Sequence, residues 1–322
     1  MDKGREMSDA GRCEFDPHPA LRATLSQWER DGFQVIPSPF GRGWREAPGE
    51  GRIHNAIRFP TFFFFILLVL FSGTSFAQQR PLITEDPRLI SDGSLVTELG
   101  FTYLDRARFP LSRLEGNELS AFDGGLNFGL GSRAEFQMRW VGQNFLWVRN
   151  NGGRRNDFGD LSLSTKIRII DEKGRRPIIS FRPTIVLPNS NDAKGIGTNT
   201  TQFFGNILWG KTIGRAFVFG NIGLGILEDP VRLRSQQDVL TYGLAAVIPI
   251  GSRFNLVSEW NGQENAQEFP SPGGEDHGQI RLGLQFRAAG IRWDAAGVAG
   301  LTSRDPRAGI VFGLTKEFLL WK

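Results

Sequence analysis

After residue 77 the chain holds one histidine, His277, and no cysteine, so it offers few starting points for proton transfer, thiol chemistry or zinc binding. His277 follows Pro-Gly-Gly-Glu-Asp at a loop-to-strand junction, where a solvent-exposed polar role fits it better than that of a general base. Glu275, Asp276 and His277 are adjacent, unlike the usual spacing of metal ligands. The glycine pairs at 195–197 and 223–225 have no helix after them and so do not read as phosphate loops. The expectation is therefore no enzyme, no catalytic residue, no metal and no cofactor.

The chemistry-bearing side chains that do recur are charged ones spaced two residues apart. Glu98, Asp123, Glu135, Arg139, Lys166, Arg168, Arg182, Glu259, Arg281, Arg287 and Asp294 all fall on the polar face of alternating segments. They are the candidates for lining a lumen. Buried charges must pair or stay hydrated, which leaves two readings open. These residues form a self-neutralising network that fills a narrow barrel, or the basic ones form a strip that orients anionic or phenolic solutes.

The elements that must position them are strands. From Ala134, the residues Phe136, Met138 and Trp140 alternate with Glu135, Gln137 and Arg139, and the segments 161–169 and 280–288 repeat the scheme. Twelve such segments are predicted near 94–104, 117–130, 133–148, 158–170, 177–188, 199–212, 215–226, 237–250, 252–262, 277–288, 290–301 and 306–318. The connections alternate between short turns (131–133, 171–176, 213–215, 251–252 and 289–290) and long loops (105–116, 149–157, 189–198, 227–236, 263–276 and a shorter 302–305) almost without exception. Segregation of loop lengths to opposite rims is the mark of an outer-membrane β-barrel. A soluble sandwich has no reason to show it. The fold class expected is thus all-β, a transmembrane antiparallel barrel of about twelve strands over 78–322.

Tyr103, Trp140, Trp147, Trp209, Trp260, Trp293 and Trp321 lie toward strand ends, as expected for rings at headgroup depth. Glycines at 125, 129, 223, 225, 283 and 313 would permit the bending that closure needs. Arg307, Gly309, Phe312 and Leu314 have the spacing of a C-terminal signal read by the outer-membrane assembly machinery.

The apolar run 62–71 follows Arg52, His54 and Arg58 and precedes small residues ending at Ala77. Ten helical residues rise about 15 Å, too little to span a bilayer. Residues 52–77 therefore read as a signal peptide cleaved after Ala77, and 1–51 as an upstream extension outside the native fold, the product of a start assigned too early. Residues 1–77 carry nine basic and nine acidic side chains, so the net charge of +4 resides in the remainder. With 38 basic against 34 acidic residues and no block of like charge, nothing points to nucleic acid.

Three segments carry a family resemblance: Arg80-Pro-Leu-Ile-Thr-Glu-Asp86, Gly159-Asp-Leu-Ser-Leu-Ser-Thr-Lys166 and Phe181-Arg-Pro-Thr-Ile-Val-Leu-Pro188. With the following stretch 199–227, they resemble an outer-membrane transporter family linked with the meta-pathway of phenol degradation. The resemblance implies a barrel in the bacterial outer membrane, contacting lipid and passing small organic solutes, hydrophobic or aromatic ones among them. It transfers no binding residues. Two other classes compete: a structural or adhesive barrel plugged by its own side chains, and an outer-membrane lipid hydrolase using His277.

Overall fold

The computed structural model describes residues 80–321, apart from 151 and 233. The upstream extension and the signal peptide expected at 1–77 lie outside the described residues. Thirteen strands are present among them: β1 (Ser94–Phe109), β2 (Leu114–Leu130), β3 (Ala134–Val148), β4 (Arg154–Asp157), β5 (Leu161–Ile170), β6 (Ile178–Leu187), β7 (Gln202–Ile213), β8 (Ala216–Glu228), β9 (Gln236–Ile250), β10 (Phe254–Asn265), β11 (His277–Ala288), β12 (Ile291–Gly300) and β13 (Ala308–Leu319).

All pairings are antiparallel, between strands that follow one another around the wall. β1 closes the ring on β13, with Ser94 opposite Leu319 and Asp105 opposite Ala308. Twelve strands form the closed barrel. The short β4 pairs only with the end of β3, Asn144–Trp147. Closure leaves no open edge, which a bilayer requires because lipid cannot hydrogen-bond to free peptide groups.

The strands obey the period-two rule. Along β11, Ile280, Leu282 and Leu284 point outward and are exposed, whereas Gln279, Arg281 and Gln285 face inward. Leu282 is 63% exposed, a cost in water but a gain against acyl chains. Outward rings pack along this wall, Tyr242 on Trp260 at 5.1 Å and Trp293 on Phe312 at 6.3 Å.

Two boundaries differ from the sequence expectation. The first long loop, expected over 105–116, shortens to 110–113 because β1 and β2 continue their pairing through a register shift between Leu104 and Ala107. The loop expected over 149–157 contains a short strand of its own, β4, and the strand expected at 158–170 begins only at Leu161, as β5. Gly159 occupies the break, where a Cβ would lie 2.6 Å from Cβ of Val141. On the long-loop rim, Leu114, Leu146 and Val148 form a small apolar core of their own, with Phe109 and Ile196 against it.

Candidate functional site

The interior is crossed by a segment that has no secondary structure, Arg80–Asp92, immediately before β1. Its residues Arg80, Leu82, Thr84, Glu85, Asp86 and Ile90 are buried. Its polar groups are tied to strands all around the ring. The Arg80 guanidinium donates to the Phe312 carbonyl on β13 at 3.2 Å and pairs with Asp123 on β2 at 2.8 Å. Its own carbonyl accepts from Gln285 on β11 at 2.9 Å. The backbone N–H groups of Ile83 and Thr84 donate to the Glu259 carboxylate on β10 at 2.9 and 2.8 Å. Ser180 on β6 donates to the Pro87 carbonyl at 2.7 Å, and Ile90 N–H reaches Glu135 on β3 at 2.8 Å. Leu82 completes an apolar patch of the inner wall, with Ile178, Phe217, Phe219, Ala245 and Val257.

Lys166 is the hub of this arrangement. Its ammonium, with the side chain 1% exposed, sits 2.8 Å from Glu85 of the segment and 2.9 Å from Glu135 of the wall, and donates to the Asp86 carbonyl at 2.8 Å. Three acceptors for three N–H donors satisfy it completely. Arg182 donates to Gln137 at 2.7 Å and lies 3.7 Å from Glu85. Arg281 pairs with Glu259 at 3.4 Å and donates to the Pro81 carbonyl at 2.9 Å. Arg139 lies 3.6 Å from Asp123, Arg292 3.6 Å from Glu98, and Asp294 3.9 Å from Arg80. The band balances: six cations (Arg80, Arg139, Lys166, Arg182, Arg281, Arg292) face six carboxylates (Glu85, Glu98, Asp123, Glu135, Glu259, Asp294).

Nine of the eleven charged residues singled out by alternation thus meet in one network around the segment. The other two sit apart, toward the short turns. Arg168 pairs with Asp171 at 3.2 Å and donates to the Ser132 carbonyl, and Arg287 borders a separate chamber. Alternation missed Arg80 and Glu85, because they belong to no strand. It also passed over Arg292, although Arg292 shares the face of Asp294 two residues on.

Glycines make room for the segment. A Cβ on Gly313 would lie 2.5 Å from Nε of Arg80, and one on Gly243 would lie 2.5 Å from Oγ1 of Thr84. The bending expected of Gly313 is therefore joined by a second task, the close approach of a guanidinium to the wall.

The segment separates two chambers. The one toward the long loops, about 480 Å³, is bordered by Ile83 and Thr84 and by inward Asn206, Asn221, Asn261 and His277. His277 Nδ1 lies 3.1 Å from the buried Asp305 carboxylate, which also accepts from the Gly278 and Thr302 N–H groups at 3.0 Å. Burial raises that carboxyl, but the hydrogen bonds from Thr302, Gly278 and His277 outweigh it and hold it below the usual carboxylate range. The chamber toward the short turns, about 310 Å³, is bordered by Asp86 and Arg88.

Among solved structures, the fold is similar to that of the COG4313 outer membrane channel from Pseudomonas putida F1. The TM-score is 0.56 at 13% identity, over 72% of this chain and 98% of that one. This protein is a bacterial outer-membrane barrel. The translocator domain of autotransporter NalP from Neisseria meningitidis aligns with TM-score 0.43 and 12% identity over 71% of this chain and 89% of its own. LpxR from Salmonella typhimurium aligns with TM-score 0.40 and 8% identity over 69% and 99%. No family model matches the sequence, and no curated protein does. The link to phenol degradation therefore rests on the sequence resemblance alone.

Proposed function

We propose that the protein is a passive outer-membrane channel for small organic solutes, hydrophobic or aromatic ones among them, with Arg80–Asp92 as its internal constriction. The observation that carries this reading is the pair of chambers, one toward each rim, parted only by a segment outside the sheet. Strand pairing does not depend on that segment, so it can shift while the wall stays closed. The similar fold of an outer membrane channel agrees with this. On this reading the eleven charged residues steer solutes as they pass, and outer-wall lipid is the barrel's constant partner. Gly309, Phe312 and Leu314 lie on β13, the strand that closes the ring on β1, which suits a C-terminal assembly signal beginning at Arg307.

The test is uptake by liposomes containing the purified full-length protein, comparing a phenolic compound with a sugar of similar size against protein-free vesicles. Faster entry of the phenolic compound alone supports selective passage. Equal entry supports a general pore.

A second reading, a plugged structural or adhesive barrel, is favoured by the completeness of the ion pairing around the segment, and it requires no uptake from a folded barrel. A lipid hydrolase would rest on the His277–Asp305 contact, yet among the described residues no hydroxyl reaches the other ring nitrogen.

A further inference from the structure

Four neighbouring strands of the ring, β8 to β11, carry one register row across the inner wall. Asn221 on β8 stands opposite Gly243 on β9, Gly243 opposite Asn261 on β10, and Asn261 opposite Gln279 on β11. Asn221 and Asn261 border the long-loop chamber, and so does Thr84 of the segment. Gly243 lets two of these approach each other: a Cβ there would lie 2.3 Å from Oδ1 of Asn221 and 2.5 Å from Oγ1 of Thr84.

The row is neutral, and its polar atoms are unpaired within the protein. Oγ1 of Thr84, Oδ1 of Asn221, Nδ2 of Asn261 and Oε1 of Gln279 are buried and hydrogen-bond to none of its groups. Buried polar groups are ordinarily paired, and leaving them unpaired is costly, so such a row marks a surface completed from outside the chain. Its neighbours are satisfied: Thr241 donates to Asn206 and Gln263 to the Glu275 carbonyl, each at 2.9 Å. The charged side chains that border the chamber are engaged as well. Arg139 meets Asp123, Arg182 meets Glu85 and Gln137, Asp160 accepts from the Asn189 and Ser190 N–H groups, and His277 meets Asp305. What is left for a ligand is amide and hydroxyl chemistry.

We propose that the long-loop chamber binds a neutral polyol of monosaccharide size through Asn221, Asn261 and Thr84. A hydroxyl both donates and accepts, so it gives its proton to Oδ1 of Asn221 or takes one from Nδ2 of Asn261. Adjacent strands lie about 4.8 Å apart, so a lone hydroxyl reaches one of these groups, whereas several hydroxyls on one ring reach them together. An ion would lose its hydration and find the charged groups of the chamber already paired, which favours a neutral body. Val141 and Val186 line the same space and offer apolar surface to the C–H face of a ring. A volume of about 480 Å³ lies within the range of small-molecule sites. The proposal goes beyond solute passage, because binding in this chamber needs no movement of the segment and is measured without flux.

The test is calorimetric titration of the purified full-length protein, in a detergent without a sugar headgroup, with glucose, gluconate and phenol. Glucose is expected to bind about tenfold more tightly than gluconate, an anion of similar size, and than phenol, which has one hydroxyl; that ratio is the worth of one or two hydrogen bonds. N261A removes a donor that has no partner in the protein, so its β-sheet circular dichroism should match the parent's while glucose binding weakens several-fold. N221A is expected to do the same from the other side of Gly243. Glucose that binds no better than phenol or gluconate, or that binds both folded variants like the parent, would overturn the proposal. Glucose bound by a barrel that admits no solute would uphold the site and contradict the channel reading alone.

Discussion

The inner wall of the barrel carries two kinds of surface. Where Arg80–Asp92 crosses, each cation has a carboxylate within 4 Å, and Lys166 has all three donors satisfied. Toward the short turns, the chamber wall carries Arg88, Arg215, Arg253 and Arg287 beside a single carboxylate, Asp86. The first surface is complete only because the segment brings Arg80 and Glu85 to it. The segment is therefore part of the electrostatic balance of the wall, and moving it means separating charges.

Breaking the balanced surface should have the largest effect. Lys166→Met leaves Glu85 and Glu135 facing each other with no cation between them, and removing one partner of a buried pair costs about 3–5 kcal/mol. We expect a matching drop in unfolding free energy in urea, together with protease access to the segment. Unchanged stability would mean that water already solvates these carboxylates.

A more selective break is Gly313→Ala, whose Cβ would collide with Arg80 Nε and Asp294 Oδ1 and with no backbone of the wall. Displacing Arg80 removes its charged hydrogen bonds, on the order of 1.5–3 kcal/mol of segment docking. The barrel should unfold nearly as the parent does while solute uptake rises several-fold. Ser180→Ala sharpens the same comparison with a smaller step. It deletes one hydrogen bond to Pro87, about 1 kcal/mol, and hydrogen exchange should quicken within 80–92 but not in β6.

The smallest effect lies outside both surfaces, at Asp305. Its carboxyl is depressed in the folded state, so it contributes stability above the ordinary value near 4, and that contribution is lost as pH falls through the folded value. The Thr302 and Gly278 amides should exchange faster below about pH 4 while strand amides do not.

The wall was legible in the sequence because a two-sided strand must alternate. Ile280–Arg287 shows which residues meet lipid and which turn inward without any knowledge of neighbours. Loop lengths showed the two rims, although β4 stayed hidden in what reads as the loop 149–157. The segment was not legible from periodicity. Arg80-Pro-Leu-Ile-Thr-Glu-Asp86 has no repeat, and its residues acquire partners only when strands up to 232 positions away surround them. Nine wall charges could be placed on the inner face, yet their partners Arg80 and Glu85 could not. The short-turn chamber was invisible for the same reason, since Arg88, Arg253 and Arg292 meet only through closure.

The central claim is that solutes pass where the segment lies and only when it yields. A Thr84→Cys/Gly243→Cys pair in a Cys13→Ser background tests it directly, because a Cβ at 243 would lie 2.5 Å from Oγ1 and 3.1 Å from Cγ2 of Thr84, within reach of a disulfide. Uptake of a phenolic solute into liposomes should stop when the pair is oxidised and return to the parent rate on reduction. Uptake that is the same in both states, or absent in both, would contradict the account.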